Sequence, residues 1–339
     1  MHRGRLPGRS LNRRLPFVGV VLALALGVAC SAQGGADAAG HWVTGDARTA
    51  SGSRTYKLWV PSGYGADRAV PLVMLLHGCL QNAEAFAAGT RMNRLADADR
   101  FLVLYPEQSV TANVTRCWNW FDPNHQGREH GEPAILASMV DQVTSHYAVD
   151  AGKIYVAGLS GGAAMSVILA CTYPDYFAAI GIHSGLEYQA ATDPGGADDA
   201  MKNGGPDPSR QGAACYQAMG AHRRVVPAIV VHGGRDPVVS PLNGHQAVAQ
   251  LARTNDLASG NWGNVDNAPD ALETGTTAGG YRYTKTSYAD RAGVDVLQEW
   301  VVDELGHAWS GGSPEGSFTD PRGPDASQMM WDFFKARAK

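Results

Sequence analysis

The 339-residue chain contains only five cysteines, and no pair of them is spaced C-x-x-C, so the ligand set of a common structural zinc site is missing. Basic charge is in short supply too: the formal net charge is −4. A surface without positive excess is poorly suited to polyanions, which excludes a nucleic-acid-binding role. There is no internal repeat, which excludes solenoid and propeller architectures. Only one long apolar run is present, Phe17 to Ala29, and it is short for the roughly 20 residues a spanning helix needs.

That run does have a place in an export signal. Arg3, Arg5, Arg9, Arg13 and Arg14 precede it and the small residues Cys30-Ser31-Ala32 follow, the plan of a secretory signal peptide over residues 1–32. Gly27-Val28-Ala29-Cys30 also resembles a bacterial lipobox, with glycine where leucine is usual, so a lipid anchor at Cys30 is a second expectation. Losing the segment before Cys30 removes those five arginines and no acid, taking the charge from −4 to −9. Residues 33–50 read as a flexible linker and residues 51–339 as a single catalytic domain. A secreted protein is expected, with membrane contact only through that anchor. The remaining Cys79, Cys117, Cys171 and Cys215 are an even set suited to two disulfides, with three connectivities open. His125, Glu129 and His130 match no zincin spacing and read as a solvated polar loop; neither a metal nor a cofactor is expected.

Apolar runs recur along the chain at Val70–Leu76, Phe101–Tyr105, Ile154–Ala157, Ala178–Ile182 and Ala228–Val231, and Val294–Val302 is a further strand-like stretch before Gly306-His307. Helical stretches lie between them, with Glu84–Arg100 read as one helix, Glu132–Tyr147 as a one-sided helix and Ala326–Ala336 as a C-terminal helix. Buried strands alternating with helices imply an α/β fold with a mainly parallel central sheet covered on both faces. Glu187–Arg210 and Asn255–Gly280, rich in glycine, proline, asparagine and aspartate, read as surface insertions.

The chemistry centres on Gly158-Leu159-Ser160-Gly161-Gly162, which stands between an apolar strand and a small-residue helix. This is G-x-S-x-G at a strand-to-helix turn, where glycines two before and two after the serine allow the tight approach. A serine hydroxyl needs a base, and the base needs a partner that holds its tautomer. In this fold the acid and then the histidine follow the serine, each after a strand, and Asp236 and His307 fit that order. The oxyanion would meet the backbone N–H of Gly161 and that of Cys79, in the loop after the His77-Gly78 strand end.

Leu76-His77-Gly78-Cys79-Leu80-Gln81, Cys117-Trp118-Asn119-Trp120, Gly158–Ala163, Ala170-Cys171-Thr172-Tyr173-Pro174, His232–Asp236 and Gly306–Gly312 together resemble the poly(3-hydroxybutyrate) depolymerase family of α/β-hydrolase esterases, which lies close to the feruloyl and acetylxylan esterases. The resemblance runs from about Arg54 to Lys339. It implies an α/β-hydrolase fold and a secreted serine esterase acting on poly- or oligo(3-hydroxybutyrate)-type esters, with feruloyl or acetyl groups on plant polysaccharide as the rival substrates. A catalytically silent, exported binding protein of the same fold is the alternative of another class. The expected disulfides are Cys79–Cys117, joining the oxyanion loop to the tryptophan loop, and Cys171–Cys215, tying the serine helix to an insertion. Trp118, Trp120 and Trp309 are expected to line a substrate groove. No trailing polymer-binding module is visible, so soluble oligomers are expected to be preferred to crystalline polymer.

Overall fold

The computed structural model describes Met1 and residues 40–339. The export signal, the lipobox cysteine and residues 33–39 of the linker lie outside the described residues.

The described stretch opens with an antiparallel pair, β1 (His41–Thr49) and β2 (Gly52–Val60), joined by a turn at Ala50-Ser51. The expected linker over 33–50 is therefore corrected: residues 41–49 pair along the whole of β2, and Ala47 is fully buried against the core. A strand of alternating exposed polar and half-buried residues at a sheet edge resembles a solvated linker in composition.

Then come β3 (Val70–Leu76), α1 (Ala83–Thr90), α2 (Met92–Asp99), β4 (Leu102–Pro106), α3 (Gly131–His146), β5 (Val149–Leu159), α4 (Gly161–Thr172) and β6 (Ala179–His183). They are followed by α5 (Pro194–Asn203), α6 (Pro208–Ala218), β7 (Ala228–Gly233), α7 (Leu242–Ser259), β8 (Ala271–Thr276), β9 (Arg282–Ala289), β10 (Asp295–Val302), and α8 (Ala326–Lys335). The ten-stranded sheet runs β1-β2-β4-β3-β5-β6-β7-β10-β9-β8. Its middle, from β4 to β10, is parallel, and each edge is finished by antiparallel strands.

Side chains alternate across a strand, and here both faces are covered. Leu72, Met74, Val156, Ile180, Ile182 and Val230 pack on one side with α3 and α4. Val73, Leu75, Tyr155, Ala157, Ile229 and Val231 pack on the other with α1 and α8. Burial on both faces explains why the central strands read as unbroken apolar runs rather than alternating ones.

Two expectations about elements are corrected. The helix expected over 84–100 is broken at Arg91, whose φ of 55° both ends α1 and starts α2. The Arg91 side chain reaches away from both helices, bonding Asp325 at 3.0 Å and the Gly311 carbonyl. The stretches expected as surface insertions hold α5, the first turn of α6, the end of α7 and β8. Asp193-Pro194 and Asp207-Pro208, turn-like in composition, are helix starts: each aspartate caps a backbone N–H and each proline takes the first position of its helix. Among the described residues no helix is long and apolar enough to cross a membrane.

Candidate active site

The carboxyl ends of β3, β5, β7 and β10 bring the candidate groups together. At the end of β5 the chain reverses into α4 through Ser160, held at φ 56°, ψ −122°. An L-residue held there stores strain, which concentrates at functional positions. The flanking glycines are required by space: a Cβ on Gly158 would lie 2.4 Å from the Gly162 carbonyl carbon, and one on Gly162 would lie 2.2 Å from the Leu76 oxygen. The turn is pinned by Ser160 N–H donating to the His183 carbonyl at 2.9 Å.

Asp236 and His307 stand on the loops after β7 and β10, stitched together by Gly234 N–H to Val302 O and Arg235 N–H to Leu305 O. His307 Nδ1 lies 2.7 Å from Asp236 Oδ2, while Asp236 Oδ1 accepts the N–H groups of Val238 and Val239 at 2.9 Å each. Burial pushes the Asp236 pKa up, but the hydrogen bond from His307 and the two backbone donors outweigh it, and the group stays below the ordinary aspartate value. An ionised aspartate on Nδ1 leaves Nε2 of the neutral ring to act as a base. Ser160 and His307 line one cavity of about 300 Å³, with Leu80, Met201, Val238 and Phe318. No hydrogen bond between the Ser160 hydroxyl and the His307 ring occurs among the described residues.

Both expected disulfides are present, Cys79–Cys117 and Cys171–Cys215. The first packs on the start of α4: a Cβ on Gly161 would meet Cys117 Sγ at 2.8 Å and Cys79 Sγ at 3.2 Å. Gly78 N–H is taken by Gln81 Oε1 at 2.9 Å, and Leu80 N–H donates to Thr115 O at 2.7 Å. Neither Cys79 N–H nor Gly161 N–H is engaged among the described residues, so two donors remain beside Ser160. Gly161 opens its helix, where backbone N–H groups have no intrahelical partner.

The groove role expected for all three tryptophans is corrected for two of them. Trp118 is fully buried and its indole donates to the His77 carbonyl at 3.1 Å. Trp309 is 1% exposed, stacks on His183 and bonds Ser327 Oγ at 3.1 Å. Both are core aromatics that shape the floor beneath the site, because a large apolar ring beside a reactive loop is drawn to burial as strongly as any other. Trp120 does reach the site, lining a second cavity of about 230 Å³ with Ser160, Gly161, Phe121, Ala197 and Met201. His125 and His130 are tied to the loop backbone, His125 Nδ1 accepting Glu132 N–H and the His130 ring meeting Asn124 O. Among the described residues no cluster of metal-ligating side chains forms.

Sequence reasoning missed the support beneath the tryptophan loop. Glu132 is fully buried; it accepts from Arg54 at 3.0 Å, from Asn119 N–H at 2.7 Å and from Gln108. Gln108 in turn donates to the Cys117 carbonyl at 3.0 Å. The available signal was an acid in the first turn of an apolar helix, which reads equally as an ordinary dipole partner. Met201 was missed because it comes from α5, far in sequence from every motif, and Val238 and Phe318 because they lie just beyond the motifs, in loop positions where no local pattern marks a cavity wall.

A parallel sheet with helices on both faces and a strained serine after its central strand defines the α/β-hydrolase class. The chain belongs to the esterase PHB depolymerase family, whose model matches residues 54–267. A poly(3-hydroxyalkanoate) depolymerase C of Paucimonas lemoignei is 32% identical over 73% of this chain and 56% of its own length. An acetylxylan esterase A of Emericella nidulans is 26% identical over 74% of this chain and 79% of its own length. The chain thus spans little more than half of the depolymerase it matches. Among solved structures, an acetyl xylan esterase from Aspergillus awamori aligns over 79% of this chain and 94% of its own, with a TM-score of 0.62 at 21% identity, a likeness of fold.

Proposed function

We propose that this chain is an exported serine esterase that cleaves 3-hydroxyalkanoate-type esters through an acyl-enzyme. The observation that carries the reading is that Ser160 stands where two mostly apolar cavities meet, one containing His307 and the other Trp120. His307 Nε2 takes the Ser160 proton as Oγ bonds the ester carbon, and Cys79 and Gly161 N–H receive the carbonyl oxygen as it becomes an oxyanion. On collapse of the tetrahedral intermediate the C–O bond to the alcohol breaks, and His307 hands its proton to that oxygen. Water repeats the sequence, restoring Ser160 and releasing the acid.

This proton path fixes the orientation of the substrate. The alcohol must leave beside His307, and the acyl group lies opposite, against Trp120, Phe121, Ala197 and Met201. The alcohol side is walled by Leu80, Val238 and Phe318, which are 69%, 44% and 40% exposed, with Gln81 already committed to Gly78 and Ser317. A sugar leaving there would find few partners for its hydroxyls, and unpaired polar groups are costly. A further hydroxyalkanoate unit, apolar except for its ester, suits the walls. Export is supported by the signal-like first 32 residues together with two disulfides, which persist in oxidising compartments.

The test is a matched-concentration comparison of hydroxybutyrate trimer, methyl ferulate and acetylated xylan, with Ser160 labelling by a fluorophosphonate. The trimer is expected to give the highest kcat/KM. Preference for ferulate or acetylated xylan would replace the polyester assignment with the polysaccharide one, and failure to label Ser160 would leave a silent binding protein.

A further inference from the structure

A second aromatic feature lies apart from Ser160, where α6 and α7 meet the turn that follows α7. Trp262 is 73% exposed there. The Arg253 guanidinium sits over one face at 4.6 Å from the ring centroid, so the exposure belongs to the other face. The indole N–H has no partner among the described residues. An indole this exposed is contrary to the tendency of large aromatics to be mostly buried. Looseness of the turn does not explain it, because the turn is anchored from three directions. Arg291 donates to Trp262 O at 2.8 Å and to Gly263 O at 3.1 Å, Asn264 N–H donates to Asp256 Oδ1 at 2.9 Å, and Val265 is buried. The ring is held as a platform.

Beside it lies a cavity of about 340 Å³ whose polar walls include Asp207, Ser209, Asp266 and Asn267. Asp207 Oδ1 accepts Ser209 N–H and Asp266 Oδ1 accepts Ala268 N–H, both at 2.9 Å. The second oxygen of each carboxylate has no partner among the described residues. A flat apolar face ringed by free acceptors selects a ligand with a C–H face and hydroxyl donors on its edge. A sugar ring has both. A polyester offers carbonyl acceptors and no donors along its chain, and an anionic ligand would meet three carboxylates, Asp207, Asp256 and Asp266, against one cation, Arg253, which Asp256 already partners at 3.5 Å.

We propose that the Trp262 cavity binds a sugar unit of a polysaccharide and holds the enzyme on that polymer, at a site separate from the one that cleaves the ester. The inference does not rest on which ester Ser160 attacks. It is tested with the full chain by depletion from solution onto insoluble xylan, amorphous cellulose and poly(3-hydroxybutyrate) powder, with turnover of a small soluble acetate ester measured in parallel. The wild type is expected to bind at least one polysaccharide. Trp262→Ala is expected to weaken that binding roughly tenfold or more, the effect of removing a central aromatic anchor, and to leave soluble turnover unchanged. If Trp262→Ala lowers the melting temperature, the pair Asp207→Asn and Asp266→Asn serves instead, since the amide oxygens can keep the loop bonds while the free acceptors are lost. Binding that survives these changes, binding to the polyester powder alone, or no binding to any of the three polymers overturns the proposal.

Discussion

Ser160, Asp236 and His307 act as one unit if the proposed mechanism holds, so their losses should overlap rather than add. Ser160→Ala and His307→Ala are each expected to cost on the order of 10⁶ in kcat, and Asp236→Asn on the order of 10⁴, with the double Ser160→Ala, His307→Ala no slower than either single variant. Steady-state kinetics on a soluble ester decide this, and a strictly additive double variant would contradict the unit. His183 is a positioning residue beneath them. Its carbonyl holds Ser160 N–H, and its Nε2 accepts Ser310 N–H at 3.0 Å, three residues beyond His307. Complete burial lowers its pKa to about 3, which keeps the ring neutral and Nε2 free to accept. His183→Leu would strand a buried N–H, costing about 1–3 kcal/mol, and is expected to lower kcat with little change in KM. His183→Gln, which can accept at the same place, should recover part of the loss. Equal kcat for the two variants would reduce His183 to packing.

At the scale of elements, the tryptophan loop rests on a buried ion pair rather than on the disulfide alone. Glu132 on α3 and Arg54 on β2 are fully and 92% buried respectively, and through Gln108 and Asn119 they fasten the segment carrying Cys117 and Trp118. Removing one partner leaves an uncompensated buried charge, so Glu132→Ala is expected to destabilise by about 3–5 kcal/mol in denaturant unfolding. Glu132→Gln, isosteric but uncharged, keeps one accepting oxygen and sets an amide N–H against donors at the other, so its cost should fall between. A cost under about 1 kcal/mol for Glu132→Ala would show that the loop is held elsewhere, since that is the range of exposed pairs. None of this network was legible beforehand: Arg54, Gln108, Asn119 and Glu132 lie in four separate segments with no shared motif. The strands and the serine turn were legible, because long apolar runs and the glycine pair are local consequences of burial and backbone space.

For the molecule as a whole, one buried acid sets a pH dependence. Glu187, in the loop after β6, is 2% exposed, and neither carboxylate oxygen has a partner. Burial, aided by the nearby charge of Asp207, raises its pKa to about 8. The folded state therefore holds a proton that the unfolded state has released. That contribution to stability is complete below the ordinary glutamate range and is lost as pH rises through about 8. Thermal unfolding of wild type between pH 5 and pH 9, roughly the window of that release, is expected to show declining stability that Glu187→Gln flattens. An unchanged slope in Glu187→Gln would mean that the acid is not the source.

What the chain's own order of residues determined is what depends on neighbours in sequence: the buried strands, the strained G-x-S-x-G turn, and the order of serine, acid and histidine that every loop-after-strand position allowed. The tertiary structure decided what depends on partners far apart. It drew all three tryptophans into the core, leaving only Trp120, 3% exposed, against the cavity beside Ser160, and it brought Met201 from α5 and Phe318 from the last loop to the cavity. It also turned residues 41–49 into an edge strand. Burial of a side chain is set by which surfaces meet it across the fold, and no local pattern records that meeting.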